Sequence, residues 1–312
     1  NDLSEAQQLA ERVTERAPRF APGWNRLAAI HGRRLIGRDA DYPHPPQEAL
    51  AIMYQAVERA LDIDPASAEA YANLGGIAWV FENDVRKAAP LIERAVSLAP
   101  WHLDIVSFAA DFAKSIGRVE EALELEALIV RRDPLCEPCR LRLAQSFLLA
   151  NRPAEANREL RLLQSSSDFT TWQRGVALVL MQRPEDALEL FDAMEAGSAL
   201  KLQGHIMATC RGDRGMQAGA SMEELRRTVG PADPLLVGKT MAYCGNVDEA
   251  FDWLERSVSS RPLLLQNEYL DPLFNPLRDD PRWLELLGRI DRAPGQIRDI
   301  PFSLEQARAR LD

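Results

Sequence analysis

Histidine, cysteine and long apolar runs are scarce in this sequence. Its 312 residues include 4 histidines and 4 cysteines, and neither an H-E-x-x-H nor a G-x-S-x-G motif occurs. No apolar run approaches the roughly 18 residues that a bilayer span requires. We therefore predict a chain that is not an enzyme, with no catalytic residue, no cofactor, no bound metal and no membrane span.

An excess of positive charge is also missing. Lys and Arg number 37 against 47 Asp and Glu, which gives a formal net charge of −10. Surfaces that bind nucleic acids neutralise phosphates with basic side chains, so we expect no nucleic-acid binding by this segment. The first dozen residues lack the apolar centre of a signal peptide. We expect a cytoplasmic location, with the periplasm left open, and a chain that is part of something longer.

The feature that is present in abundance is an internal repeat. Residues Asp64 to Pro134 contain two consecutive copies of a unit of about 34 residues. Pro65, Pro100 and Pro134 fall 35 and 34 residues apart. Between them, corresponding large, small and apolar positions recur in one phase: Tyr71, Leu74, Gly75 and Ala88 in the first copy, and Val106, Ala109, Ala110 and Ala122 in the second. This pattern resembles the tetratricopeptide repeat, a helical hairpin that stacks on its neighbours.

The same spacing of about 34 residues, which we call the repeat frame, extends over most of the chain. It predicts an all-α fold, a right-handed α-α superhelix of about seven helical hairpins with helical caps. A small residue recurs just inside each second helix, where the paired helix approaches closely, at Ala88, Ala122, Ala156, Ala187 and Ala250. Gly117, Asn151 and Gly245 stand at turns and suit the left-handed conformation that ends many helices.

In this interpretation the chain has two regions. Residues 1–265 form the repeat array, with an inserted loop at 37–46 that is rich in proline and aspartate. Residues 266–312 form a capping segment and a tail, because an exposed terminal repeat needs its apolar face covered. The sequence leaves open whether the tail, Ile297 to Asp312, occupies the binding groove.

The last quarter of the chain carries a narrower resemblance. Asp271 to Leu287 and Tyr243 to Ser257 are similar to the ends of tetratricopeptide regions in bacterial winged-helix regulators, adenylate-cyclase-like proteins and TolB-like proteins. That resemblance implies a regulatory or signalling context without naming a partner.

The resemblance also implies a binding surface. First helices line the concave groove of a tetratricopeptide superhelix, which should receive a protein or peptide ligand. By the repeat frame, the groove residues are Asn25, Glu69, Asn73, Trp79, Asp104, Asp111, Arg142 and Gln145. Trp79 is either an exposed anchor or a core residue. Of the clamp residues that bind chaperone C-termini in this family, only Asn73 matches, so chaperone-tail binding is not expected.

The cysteines give two separate predictions. Cys136 and Cys139 form a C-x-x-C, for which structural packing and a reversible disulfide stay open. Metal binding is the third alternative, but a zinc site would need two more ligands, and the sequence has no second C-x-x-C and no paired His to supply them. Cys210 and Cys244 occupy equivalent positions of adjacent hairpins. Since packed helices lie roughly 8 to 10 Å apart, we expect these two to be core residues beyond disulfide reach.

The sequence thus favours an interaction scaffold, the regulatory or sensory module of a larger bacterial regulator. Two alternatives remain. The chain could be the accessory region of a signalling cyclase or kinase whose catalytic domain lies elsewhere, or a self-association module that forms a homodimer.

Overall fold

Helices joined by short turns make up the computed structural model, which describes residues 2–37, 41–164, 167–211, 215–260, 265–266 and 268–311. Residues 38–40 of the predicted inserted loop lie outside the described residues, as do 261–264 beside the predicted boundary at 265. The chain divides into two units. The N-terminal unit contains Asn1–Phe112 and Ile300–Asp312, and the central unit contains Ala113–Asp299.

The N-terminal unit begins with a single helix followed by hairpins. Its helices are α1 (Asp2–Arg16), α2 (Ala21–Gly37), α3 (Pro46–Ile63), α4 (Ala68–Gly76), α5 (Val85–Leu98) and α6 (Leu103–Ser115), of which the last ends in the central unit. A π-helical turn, Ile77–Phe81, extends α4. Helix α2 packs on α3 and α4 on α5, which forms the first two hairpins of the predicted repeat.

The central unit continues the same alternation. Its helices are α7 (Val119–Arg132), α8 (Glu137–Leu149), α9 (Pro153–Leu160), α10 (Asp168–Leu180), α11 (Pro184–Asp192), α12 (Ala199–Thr209), α13 (Gly215–Thr228), α14 (Pro234–Tyr243), α15 (Val247–Ser260), α16 (Pro281–Arg289) and α17 (Pro294–Ile297). A 3₁₀ turn, Pro272–Leu277, precedes α16. The last helix, α18 (Glu305–Leu311), returns to the N-terminal unit.

The residues that the repeat frame singled out occupy the expected positions. All five small residues at the start of second helices, Ala88 to Ala250 in the series given above, are fully buried. Gly117, Asn151 and Gly245 have φ values of 84°, 56° and 85°. Those values lie in the left-handed region that ends helices, which confirms the prediction made for the three turns.

The 3₁₀ turn covers the last hairpin of the central unit. Leu273 and Phe274 are fully buried, and Leu273 joins the core that contains Tyr243. Lys239 Nζ of α14 lies 2.5 Å from Asp271 Oδ2 and 2.6 Å from Glu268 Oε2. Burial alone would lower the pKa of Lys239, but the two carboxylates raise it above its ordinary value. This buried ion group fixes the turn to α14.

The cysteines correct one prediction and leave another open. Cys210 and Cys244, at the C-terminal ends of α12 and α14, form a disulfide with a Cα–Cα distance of 5.6 Å. The prediction that they lie beyond disulfide reach is wrong because it used the distance between helix axes. Cα atoms stand about 2.3 Å from each axis, so facing Cα atoms lie several ångströms closer than the axes do. Cys136 and Cys139 also form a disulfide, and its reversibility stays a prediction.

The predicted fold class, an all-α repeat of helical hairpins, is confirmed by this architecture. No β-strand occurs in the ranges that the structure describes. None of the helices in that part of the chain has the length and apolar character of a bilayer span.

Candidate peptide-binding site

The C-terminal segment of the chain is bound to the N-terminal unit as an extended peptide followed by α18. Ile300, Phe302 and Leu304 are buried, whereas the residues between them are exposed. This alternation is that of an extended chain with one face on a surface, because successive side chains of an extended chain point to opposite sides. We call residues 300–311 the docked segment.

An aromatic cluster receives the middle of the docked segment. The ring of Phe302 meets the ring of Phe112 edge-on, with a centroid distance of 4.9 Å. Phe112 in turn meets Trp79 at 5.5 Å, also edge-on, and Trp79 lies 5.5 Å from Phe108. Edge-to-face pairs of this kind stabilise beyond the area that they bury. The docked Phe302 is therefore anchored by the Phe112 ring of α6, which in turn packs on Trp79.

The π-helical turn after α4 positions Trp79. The backbone N–H of Glu82 donates to the carbonyl of Ile77 at 3.1 Å, a bond that spans five residues and inserts one extra residue into the helix. Trp79 lies within this turn and is only 7% exposed. Burial with the docked segment in place agrees with a core residue, one of the two alternatives that the sequence left open for Trp79, and its part in binding a ligand stays a prediction. Its indole Nε1 is buried and has no hydrogen-bond acceptor among the described residues.

A backbone contact completes the site. The peptide N–H of Ser303 donates to the carboxylate oxygen Oε1 of Glu93 on α5, and α18 packs beside the same helix. Recognition through a peptide N–H does not depend on the side chain at that position, whereas the neighbouring side chains of Phe302 and Leu304 are buried. Sequence reasoning missed Glu93, Phe112 and Phe302, although the alternation at 300, 302 and 304 was a usable signal.

Two of the predicted groove residues have a structural role. Asn25 Nδ2 donates to Ser67 Oγ at 2.8 Å, and Asn73 Nδ2 donates to the backbone carbonyl of Asn25 at 3.0 Å. Ser67 also accepts the N–H of Ala70 and so caps α4. Asn25 is 3% exposed, which leaves its side chain little surface for a ligand. This pair joins α2 to α4, and the part that Asn25 and Asn73 play in binding a ligand stays a prediction.

The other predicted groove residues are more accessible. In the N-terminal unit, Glu69 and Asp111 are half-buried and Asp104 is exposed. Arg142 and Gln145 are half-buried on α8 of the central unit. The prediction therefore distributes its residues over both units, and the part that these five play in binding stays a prediction.

A polar cluster connects the described end of the inserted loop to α1 and α2. His31 Nδ1 lies 2.7 Å from the hydroxyl of Tyr42, and Arg34 bonds to Asp41 and to Gln7 Oε1, each at 2.8 Å. Burial lowers the pKa of His31, and the nearby ring of His44 lowers it further. His31 is thus a neutral part of the hydrogen-bonded contact near pH 7.

Comparison with known proteins supports the fold. No family model matches the sequence, and no curated protein matches it. A solved tetratricopeptide repeat protein from Parabacteroides merdae ATCC 43184 is similar over 83% of this chain and 98% of its own, with a TM-score of 0.59 and 14% identity. At that identity the similarity shows the fold.

Two other solved structures have lower TM-scores. Pseudomonas aeruginosa pilF matches 78% of this chain and 99% of its own at 17% identity, with a TM-score of 0.49. Naa15/Naa10 bound to HypK-THB matches 99% of this chain at 13% identity, with a TM-score of 0.37, and this chain covers 48% of that one.

Proposed function

We propose that this chain is a protein-interaction scaffold whose N-terminal unit binds an extended peptide segment with apolar residues at alternate positions. The observation that carries the proposal is the docked segment itself, with Phe302 against Phe112 and the Ser303 N–H on Glu93. The surface that holds this segment buries alternate apolar side chains and offers the Glu93 carboxylate as an acceptor for a peptide N–H, two features of peptide recognition.

The chemistry of the docked segment defines the partner. The partner presents an aromatic side chain, an aliphatic side chain two residues before it and another two residues after it, followed by a short helix. Full burial of one such side chain stabilises a complex by about 1.5–3 kcal/mol. The docked segment belongs to the same chain as the surface that binds it, so its effective concentration is on the order of millimolar. It therefore competes with the partner, which must bind strongly enough to displace it.

The regulatory context belongs to the same proposal. The ending at Asp271 to Leu287 is similar to that of bacterial regulators, which favours a sensory or regulatory module of a transcription or signalling protein. The net charge of −10 favours a protein partner over nucleic acid. An accessory role beside a signalling enzyme and self-association as a homodimer are the alternatives.

The disulfides bear on the compartment. All four cysteines of the chain are paired, in Cys136–Cys139 and Cys210–Cys244. Disulfides persist in oxidising compartments and are rare in the cytosol. Of the two locations left open by the sequence, this favours the periplasm over the cytoplasm.

A labelled synthetic peptide of residues 300–312 tests the binding proposal. In the full chain, Phe302→Ala weakens the binding of the chain's own docked segment and leaves the aromatic cluster that receives it intact. The free peptide should therefore bind this variant at least roughly tenfold more tightly than it binds the unmodified chain. Glu305→Gln, at an exposed position of the docked segment, is the matched control and should leave peptide binding unchanged.

A peptide that carries alanine in place of Phe302 should not bind either protein. Equal affinity of the native peptide for the unmodified chain and for Phe302→Ala would contradict the proposal. Equal binding of the native and alanine peptides would do the same, since it would show that the aromatic pocket does not select its ligand.

A further inference from the structure

The Cys136–Cys139 disulfide lies at the first turn of α8. Cys136 is the N-cap residue, and its Sγ accepts the backbone N–H of Cys139 at 3.2 Å. Cys139 packs against the core formed by Leu123, Val130 and Leu143. The two sulfurs therefore differ in their surroundings: Cys136 receives a donor at the helix end, and Cys139 rests on apolar side chains.

The two disulfides of the chain are built for different purposes. Cys210–Cys244 closes a separation of 34 residues and joins two hairpins, whereas Cys136–Cys139 closes a separation of 3 residues within one turn. Since the stabilisation by a disulfide grows with the length of the loop it closes, the short ring contributes least to the fold. Its location is explained better by chemistry than by stability.

The helix end favours the reduced, ionised form of Cys136. The N-terminus of a helix carries a partial positive charge, and its free N–H groups stabilise a thiolate. The N–H of Cys139 already points at Cys136 Sγ in the oxidised form, so no rearrangement is needed when the sulfur becomes anionic. Cys136 is for this reason a good leaving group and, in the reverse direction, a good nucleophile.

The surroundings give a substrate access to the disulfide. Leu135, the residue immediately before Cys136, is 86% exposed, and the adjacent Pro134 and Pro138 are exposed as well. Both cysteines are half-buried and reach the surface. These exposed neighbours leave room for an extended polypeptide that brings a thiol to the sulfurs.

We propose that Cys136–Cys139 is a redox-active disulfide that oxidises a dithiol in an extended protein or peptide. A substrate thiolate attacks Cys136 Sγ, the bond between Cys136 and Cys139 breaks, and Cys139 leaves as a thiolate that takes up one proton. The second substrate thiol loses its proton and attacks the substrate sulfur of the mixed disulfide, which releases Cys136 as a thiolate. Two electrons and one proton pass to the protein, the other proton goes to solvent because Cys136 stays ionised, and the substrate leaves with one disulfide.

A single-turnover experiment on the full chain tests this step. A synthetic peptide with two cysteines, supplied in reduced form, should become oxidised in a ratio of one peptide per protein. The double variant Cys136→Ser with Cys139→Ser keeps Cys210–Cys244 and should oxidise none. Thiol alkylation followed by mass spectrometry should find Cys136 and Cys139 reduced and Cys210–Cys244 intact, while circular dichroism shows that the protein remains folded.

Two single variants test the assigned roles. Cys139→Ser should accumulate a mixed disulfide at Cys136 with oxidised glutathione. It should also react with iodoacetamide at pH 7 at least tenfold faster than Cys136→Ser, in which Cys139 is the remaining thiol. Equal rates would overturn the assignment of Cys136. Absence of peptide oxidation, or reduction of both disulfides only together with unfolding, would overturn the proposal and leave Cys136–Cys139 as a structural disulfide.

Discussion

Replacing Gly175 of α10 by alanine should destabilise the central unit, although the same change inside a helix normally stabilises it. Gly175 and Gly204 of α12 both face the ring of Phe191, which is fully buried. A Cβ added at Gly175 would lie 2.2 Å from Cε1 and 2.4 Å from Cζ of that ring, and one added at Gly204 would lie 2.5 Å from Cδ1. The ring therefore occupies the space that two side chains would need.

Two opposing effects set the magnitude. Alanine is favoured over glycine in a helix by about 1 kcal/mol. Overpacking of a filled core costs about 1–3 kcal/mol, and the contact at Gly175 is more than an ångström shorter than ordinary van der Waals contact. Because the ring is enclosed, we expect overpacking to dominate and Gly175→Ala to lower the free energy of unfolding by up to about 2 kcal/mol.

Gly219 of α13 supplies the control. It is exposed, and a Cβ built there meets no atom within 4 Å. Gly219→Ala should raise the free energy of unfolding by about 0.5–1 kcal/mol, so the two substitutions in one unit should differ in sign. Urea unfolding followed by circular dichroism measures both, with an unchanged slope as the condition for comparing midpoints.

A double variant tests the cause. Phe191→Leu removes the ring that the new Cβ would meet, so Gly175→Ala should cost less in that background than in the unmodified chain. The reasoning would be refuted if Gly175→Ala stabilised the protein as Gly219→Ala does, or if its cost were the same with leucine at position 191.

The remaining predictions concern the disulfide between hairpins and the buried histidine. Replacing Cys210 and Cys244 together by alanine should lower the free energy of unfolding by about 2–4 kcal/mol, since closing a loop of this length restricts the unfolded chain; an unchanged urea midpoint would contradict this. His31, whose pKa burial lowers, stays neutral in the folded chain while the unfolded chain takes up a proton near pH 6.5. Stability should therefore fall as the pH drops from 7.5 to 5.5, and His31→Gln should show a smaller fall in melting temperature; identical pH profiles would exclude this role.

Local features of the hairpins were predictable from the sequence. The turns at Gly117, Asn151 and Gly245 and the buried alanines follow from steric requirements that each repeat imposes on itself. The same turn geometry occurs at Gln182, with φ of 59°, where glutamine gave no signal. Residue type alone does not identify every left-handed position, because packing can impose that conformation on an ordinary residue.

The candidate site was less predictable for a physical reason. The repeat frame assigns residues to helix faces on the assumption of uninterrupted α-helices, and the π-helical turn at Ile77–Phe81 interrupts that spacing in the stretch that contains Trp79. Contacts between distant segments, such as Phe302 with Phe112 and Asn25 with Ser67, depend on how the chain returns on itself. The alternation at 300, 302 and 304 indicates an extended segment with one apolar face, but it does not identify the helix on which that face packs.

The disulfide between Cys210 and Cys244 has a mechanical consequence. In a repeat array each hairpin contacts mainly its neighbours, so tension applied to the chain ends would extract hairpins one after another. The disulfide shortens the length of chain that can be pulled out by the 34 residues that separate Cys210 from Cys244, because force passes directly from one sulfur to the other. At about 3.4 Å per residue, the oxidised protein would extend roughly 115 Å less than the reduced protein. The redox state of one bond thus sets how far this chain can be stretched between two attachment points.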